Sequence, residues 1–163
     1  MIAPLGGPER RLFDFVSHWY ESIPAATSMA GLSWSPDGKW LAVSGDIGAA
    51  ENDRILLVSV ETGEVRPITQ PPSNELGDYL PAFSPDGSAI LFVRQTKMTP
   101  GDICHLSLGP GYVPREEPQK LPTPGLRPVG AEWAGRGREI VFGTLDDRAL
   151  YRMAQREQPA CED

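Results

Sequence analysis

The chain contains 163 residues, of which 40% are apolar and 23% are charged, a composition typical of a globular protein with one ordinary hydrophobic core. Its 22 acidic residues outnumber its 15 basic residues and give a net charge of −7. Because affinity for nucleic acid comes largely from lysine and arginine, this balance disfavours DNA and RNA as partners. No contact with nucleic acid is predicted for this segment.

Turn-forming residues are frequent, since the 17 glycines and 17 prolines together make up about a fifth of the chain. Many turns imply many short segments, which favours an all-β architecture over a helical one. Residues 1–7 lack the basic and apolar regions of a secretory signal, and no apolar run approaches the roughly 20 residues that cross a bilayer. We therefore expect a soluble chain without membrane insertion, in an unassigned compartment.

Three segments of the sequence align on one another: LSWSPDGKWLAVSG (32–45), PAFSPDGSAILFVR (81–94) and AEWAGRGREIVFGT (131–144). The aligned aromatic residues lie 49 and 50 residues apart, and so do the aligned glycines: Trp34, Phe83 and Trp133; Gly38, Gly87 and Gly137. A near-constant period of this length indicates a repeat architecture.

In chain order, residues 1–15 are predicted to be the last strand, d, of a preceding unit, because PLGGPERRL (4–12) resembles the later segment SVETGEVRPI (59–68). Residues 13–30 form an aromatic-rich link whose side chains could pack over a blade or line a partner surface, and we expect packing. The first full unit covers residues 30–70, with strand a ending at its aromatic residue. Its other predicted strands are b (Trp40–Val43), c (Ile55–Val60) and d (Val65–Thr69).

The second unit covers residues 80–123, and residues 109–128, which carry six prolines, are predicted to form a surface loop. The third covers residues 129–154 and contains strands a to c only. The predicted strands are Ile90–Val93, Ile103–Leu108 and Lys120–Leu121 in the second unit, and Ile140–Phe142 and Leu150–Met153 in the third. A four-stranded antiparallel unit at this period is typical of a propeller blade. The predicted fold is all-β, with three blades' worth of strands forming a partial propeller or half of a six-bladed dimeric ring.

The turn between strands a and b carries the predicted structural residues Asp37, Gly38, Asp86, Gly87 and Gly137. Proline sets φ early in a Ser-Pro-Asp-Gly turn, and glycine is free to adopt a left-handed conformation. An aspartate side chain in such a turn accepts hydrogen bonds from nearby backbone N–H groups, so we expect structural roles for both aspartates. The third turn, Ala-Gly-Arg-Gly, departs from the pattern.

A search for chemistry finds no nucleophile elbow, dinucleotide loop, P-loop or HExxH motif. His105 is predicted to be packed in strand c. His18 lies in the irregular link, and no role is predicted for it. The acidic loop Asp46–Asp53 offers oxygen ligands but lacks the alternation of a calcium loop, so a solvated loop is expected. Cys104 is predicted to be buried and Cys161 to be free in the tail. No catalytic residue, metal or cofactor is predicted.

The runs LSWSPDGKWLAVS, PAFSPDGSAILFV, ILLVSVETGE and ALYRM resemble the TolB-type, WD-like propeller repeat, over about residues 2–153. That family includes the periplasmic TolB protein, the propellers of prolyl-oligopeptidase-type peptidases and the C-terminal propellers of some bacterial winged-helix regulators. The chain is most similar to the regulators in PLGGPERRL, GLSWSPDGKWLAVS and GREIVF. The resemblance implies a propeller fold and leaves the function open.

Two functions are compatible with this resemblance. The first is a non-catalytic module that binds or senses a protein or a small ligand, as part of a larger TolB-like or regulatory protein. The alternative is a segment of the substrate-gating propeller of a prolyl-oligopeptidase-type serine peptidase. A homodimer is also predicted, in which strand d at Glu9–Leu12 of one copy completes the strand set that ends at Leu150–Met153 of the other.

Overall fold

The computed structural model describes residues 11–14, 31–48, 52–96 and 101–154, in which eleven β-strands form three antiparallel sheets. The first sheet contains β1 (Leu32–Trp34), β2 (Trp40–Gly45), β3 (Arg54–Ser59) and β4 (Val65–Pro67). The second contains β5 (Glu75–Phe83), β6 (Ala89–Thr96), β7 (Asp102–Ser107) and β8 (Gln119–Lys120). The third contains β9 (Pro128–Ala134), β10 (Glu139–Thr144) and β11 (Leu150–Ala154).

Helical structure within the described ranges is confined to two short 3-10 turns, Pro110–Tyr112 and Gly135–Gly137. In every sheet the strands pair in the order in which the chain visits them, so each sheet is a simple antiparallel meander. Three such meanders in succession, each packed on the next, are the arrangement of propeller blades. The predicted all-β partial propeller is therefore confirmed.

Two apolar layers hold the sheets together, with the second sheet in the middle. Between the first and second sheets the layer includes Ala42, Ile55, Leu57, Ile90 and Phe92. Between the second and third sheets it includes Leu91, Ile103, Ala131, Ile140 and Phe142. Successive side chains of a strand point to opposite faces, so a strand covered on both sides must be apolar throughout. This is why Ala89–Val93 of β6 is a continuous buried apolar run.

The second sheet begins earlier than the sequence indicated, because β5 starts at Glu75 whereas the predicted unit began at residue 80. Pro81 lies inside β5, although a proline cannot donate to a ladder. The pairing instead shifts register between Tyr79 and Ala82, and the extra residues of this bulge let β5 pass the proline. Leu80, within the bulge, has a φ of 56°.

The predicted strand at Glu9–Leu12 lies only partly within the described residues. Arg11–Asp14 belong to no strand. The carbonyl oxygen of Leu12 lies beside the β3–β4 turn of the first sheet, 3.1 Å from the position that a Cβ would take at Gly63. In the described part of the chain the third sheet has the three strands β9, β10 and β11, and β11 forms its edge.

None of the helical segments within the described ranges is long and apolar enough to cross a bilayer.

Candidate functional site

The first predicted turn is closed by the side chain of Asp37. Its Oδ1 accepts hydrogen bonds from Ser35 Oγ at 2.6 Å and from the Lys39 backbone N–H at 3.0 Å. The hydrogen bond from Ser35, followed by that from Lys39, lowers the pKa of Asp37. Gly38 has a φ of 70°, the left-handed region that glycine enters without steric cost. This carboxylate is engaged by its own turn and by the side chain of Tyr112.

The second turn repeats this arrangement 49 residues later. Asp86 Oδ1 accepts from Ser84 Oγ at 2.7 Å and from the backbone N–H of Ser88 at 3.0 Å. These bonds, with that from Ser88 the largest contribution, lower the pKa of Asp86. Gly87 has a φ of 74°, and a Cβ added there would lie 3.1 Å from Cε1 of Tyr112. The space beside Gly87 is therefore filled by Tyr112, whereas the space beside Gly38 is open.

The third turn reaches a similar chain reversal without Ser-Pro-Asp. Gly135, Arg136 and Gly137 have φ values of 57°, 60° and 85° and form a 3-10 turn. A Cβ at Gly137 would lie 3.4 Å from Cδ of Pro85, so this turn packs against the second one. It has two glycines and no aspartate, and the carboxylate beside it belongs to Glu139, whose Oε2 lies 3.1 Å from the position that a Cβ would take at Gly135.

The proline-rich connection between β7 and β8 is a mostly exposed surface loop, as predicted, and it also contacts the first two sheets. The ring of Tyr112 meets Phe83 edge-on with centroids 5.2 Å apart, and its pKa is raised by burial. Arg66 donates a hydrogen bond to the Gly111 carbonyl and places its guanidinium 4.7 Å from the ring centre of Trp40. The connection thus contacts both sheets across their seam.

A buried polar cluster at the opposite end of the strands also joins the first two sheets. Asp78 of β5 forms a two-point ion pair with Arg94 of β6, at 2.7 and 2.9 Å. Its backbone N–H donates to the Asp53 carbonyl at 2.9 Å, which ties β5 to the start of β3. Burial raises the pKa of the Asp78 carboxyl, and the guanidinium of Arg94 opposes that shift.

The expectation of a solvated acidic loop is wrong for its two ends, because Asp46 and Asp53 are both fully buried. Asp46 accepts from the backbone N–H of Gly48 at 2.7 Å and lies 3.5 Å from Arg54. A Cβ at Gly77 would lie 2.7 Å from the Asp53 carbonyl oxygen. This close approach of the two backbones brings the end of the loop into the seam between the sheets. No group of three His, Cys, Asp or Glu side chains in the described ranges has an arrangement that would hold a metal.

His105 and Cys104 of β7 are packed side chains. The imidazole of His105 meets the indole of Trp133 edge-on, with centroids 6.0 Å apart, at the seam between the second and third sheets. Burial lowers the pKa of His105. Cys104 is fully buried, and burial raises the pKa of its thiol to about 12, which keeps it protonated and unreactive. His18 and Cys161 lie outside the described residues.

An apolar groove of about 290 Å³ opens where β1, β5 and β9 converge. The strained Leu80 lies between Gly31 and Gly130. A Cβ added at Gly31 would lie 3.0 Å from Cδ2 of Leu80, and a Cβ added at Gly130 would lie 3.6 Å from its Cδ1. Leu32 and Leu150 at the groove are 62% and 79% exposed. Glu132 is the one charged lining residue, and burial raises its pKa. Sequence patterns gave no signal for this groove, since it is formed by three separate sheets.

A second groove, of about 680 Å³, lies beside the β8–β9 connection. Its cations are already paired, since Lys120 contacts Asp102 at 2.6 Å and Arg127 lies 3.7 Å from Asp146. It therefore offers no unbalanced charge to a ligand.

No family model matches this chain, and no curated protein is similar to it. Among solved structures, TolB from Acinetobacter baumannii is 22% identical, with a TM-score of 0.58 over 76% of this chain and 29% of that one. A putative TolB from Agrobacterium tumefaciens is 21% identical, with a TM-score of 0.61 over 76% of this chain and 42% of that one. Kuenenia stuttgartiensis hydrazine synthase is 19% identical, with a TM-score of 0.51 over 69% of this chain and 36% of that one.

These likenesses show a β-propeller fold like that of the two TolB structures. The chain spans less than half of the length of the two TolB structures that it matches. At these identities the likeness shows the fold alone.

Proposed function

We propose that these blades form a non-catalytic module that binds a protein or a small ligand at the apolar groove. The groove itself is the observation that carries this proposal. It combines exposed apolar side chains, Leu32 and Leu150, with a single carboxylate at Glu132. Concave, mostly apolar sites with few polar groups are typical of ligand-binding surfaces.

The polar side chains are engaged in hydrogen bonds, ion pairs and ring contacts within the fold, which supports a role without catalysis. A nucleophile or a general base must be free to reach the reacting atom of a substrate. Asp37 and Asp86 are engaged in their own turns, and Asp78 is engaged by Arg94. His105 packs against Trp133. These side chains serve the fold, which leaves the groove as the surface available for recognition.

The more specific assignment, to the propeller of a winged-helix regulator, rests on the sequence motifs alone. Sequencing the gene region around this chain tests it. A winged-helix domain upstream is the expected result. An α/β-hydrolase domain with Gly-x-Ser-x-Gly downstream would favour the peptidase alternative.

The groove is tested with peptides selected against the chain from a random phage-displayed library, followed by fluorescence anisotropy. Leu150→Glu places a charge at the groove and should weaken binding of a selected peptide by about tenfold or more, equivalent to roughly 1.4 kcal/mol. Leu145→Glu is the matched control, since Leu145 is 58% exposed and does not line the groove. Equal loss with both variants, or no selected peptide, would contradict the proposal. The molar mass of each variant, measured in parallel, separates lost binding from altered assembly.

A further inference from the structure

The two Ser-Pro-Asp-Gly turns each contain an Asp–Gly peptide bond, Asp37–Gly38 and Asp86–Gly87. Glycine has no side chain to hinder its backbone nitrogen, and Asp–Gly is therefore the dipeptide in which that nitrogen most readily attacks the carboxyl group before it. The attack closes a five-membered succinimide ring. The chain thus carries the same reactive dipeptide in two different surroundings.

The reaction releases one water molecule and then consumes one. The glycine nitrogen bonds to Cγ of the aspartate, and its proton leaves with the hydroxyl group of the carboxylic acid as water. Water then opens the ring at either carbonyl. Opening at Cγ restores aspartate, whereas opening at the main-chain carbonyl leaves the chain running through Cγ, as isoaspartate. Nothing is oxidised or reduced, and the mass of the chain is unchanged.

The native geometry opposes the attack in both turns. The backbone N–H of Gly38 donates to the Ser35 carbonyl at 2.9 Å, and the backbone N–H of Gly87 donates to the Ser84 carbonyl at 2.9 Å. Oδ1 of each aspartate accepts from the hydroxyl of the turn's serine and from a backbone N–H two residues further on. The ring can therefore close only when a turn opens locally, and the free energy of local opening varies across a structure.

The space beside the two glycines differs. Among the described residues, no atom lies within 4 Å of the position that a Cβ would take at Gly38, and this glycine is exposed. Gly87 is buried, and its Cβ position lies 3.1 Å from Cε1 of Tyr112 and 3.6 Å from Cδ of Pro36. The Asp–Gly peptide must rotate before the nitrogen reaches Cγ, and this rotation needs room beside the glycine. The first turn has that room, whereas the second does not.

Tyr112 contacts both turns, each with a different part of its side chain. Its ring covers Gly87 of the second turn. Its phenol hydrogen-bonds the carboxylate of Asp37 in the first turn. Tyr112 therefore restrains a carboxylate in one turn and blocks the movement of a glycine in the other.

We propose that Asp37–Gly38 is a site of spontaneous isoaspartate formation, and that the ring of Tyr112 shields Asp86–Gly87 from the same reaction. Conversion displaces the carboxylate oxygen that accepts from Ser35 and from the Lys39 backbone. It also displaces the group that Tyr112 hydrogen-bonds. Because Tyr112 belongs to the connection between β7 and β8, the modification weakens the contact of the first sheet with that connection.

Prolonged incubation of the whole folded chain at neutral pH, below its melting temperature, tests the proposal. After digestion, liquid chromatography with tandem mass spectrometry separates the isoaspartyl from the aspartyl peptide of each turn. Conversion at Asp37 should be about fivefold faster than at Asp86 or more, because the covered turn opens less often. In denaturant the two rates should become similar, since the surroundings are lost. Equal rates in the folded chain, faster conversion at Asp86, or none at Asp37 would overturn the proposal.

Two variants of Tyr112 separate the effect of its phenol from that of its ring. Tyr112→Phe removes the hydrogen bond to Asp37 and keeps the ring over Gly87, so conversion at Asp37 should rise about fivefold and conversion at Asp86 should not change. Tyr112→Ala also uncovers Gly87, so conversion should rise at both turns. Val113→Ala, at the exposed neighbouring residue, is the control and should change neither rate.

The effect of Tyr112→Phe on one turn only is the discriminating result, because a general loss of stability would raise both rates. Thermal melts of each variant measure that loss directly. A rise at Asp86 in Tyr112→Phe, or an unchanged rate at Asp86 in Tyr112→Ala, would exclude shielding by the ring.

Discussion

Asp78 of β5 and Arg94 of β6 face each other within the second sheet and form a buried ion pair. Nε and Nη2 of Arg94 donate to Oδ1 and Oδ2 of Asp78 at 2.7 and 2.9 Å, and the carboxylate has no exposed surface. Since the backbone of Asp78 also bonds Asp53, the pair positions the start of β5 against the first sheet.

Removing one partner of this pair should destabilise the fold strongly. Asp78→Ala leaves the Arg94 charge largely buried without its partner, and breaking a buried pair in this way costs about 3–5 kcal/mol. Chemical denaturation measures the loss. Asp102→Ala is the control, because its pair with Lys120 is largely exposed and such pairs contribute about 0–1 kcal/mol. Similar losses in the two variants would contradict the role assigned to Asp78.

The pH dependence of stability should separate Asp86 from Asp78. The folded-state pKa of Asp86 is lowered, so its contribution is present above its unfolded pKa near 3.8 and is lost as the pH falls through the folded value. The pKa of Asp78 is raised, so its ionisation opposes folding increasingly as the pH rises above 3.8. The free energy of unfolding, measured by denaturation from acid to neutral pH, should rise less in Asp86→Asn than in the wild type. Asp78→Asn should instead flatten the loss of stability above pH 3.8, while lowering stability at neutral pH because Arg94 loses its charged partner. The same sign of change in the pH dependence of both variants would refute this assignment.

Gly38 and Gly87 provide a test that separates backbone strain from crowding. Both have φ near 70°, where a residue with a side chain costs about 1–2 kcal/mol, and a β-branched residue is poorly accommodated. No atom lies within 4 Å of a Cβ at Gly38, whereas Tyr112 lies 3.1 Å from one at Gly87. Gly87→Val should therefore lower the melting temperature more than Gly38→Val, and Tyr112→Ala should reduce the difference. An unchanged melting temperature in Gly87→Val would show that the turn is not formed as described.

The proposal that these blades are not catalytic is testable on the chain itself. Screens with ester, peptide and nicotinamide substrates should show no turnover above a buffer control, because the polar side chains described above are engaged in the fold. Turnover that persists through purification and disappears in His105→Ala would refute the non-catalytic proposal. His18→Ala serves as the companion variant for the second histidine.

The sequence repeat predicted the blades because each blade is organised by local contacts. A turn with aspartate and glycine joins two strands only a few residues apart, and Asp37 and Asp86 bond groups within two residues of themselves. The alternation and length of the apolar runs then indicate which strands are buried on one face or on both. These signals lie within short windows of sequence.

Contacts between blades escaped sequence analysis because their partners are far apart along the chain or belong to different sheets. The burial of Asp46 and Asp53 depends on how the second sheet packs on the first, and nothing in an acidic loop distinguishes a buried carboxylate from a solvated one. In the sequence Tyr112 is one residue of a proline-rich loop, and only the structure shows that its ring packs against Phe83 of β5.

The amino-acid sequence by itself determined the period, the strand order within each blade and the TolB-type propeller fold. Only the tertiary structure decided which charges are buried, where the proline-rich connection lies and where three sheets leave a groove around Leu80. Turns and strand alternation follow from the conformational preferences of neighbouring residues. Burial, ion pairing and concave surfaces arise when sheets pack together, and that packing is a property of the whole chain.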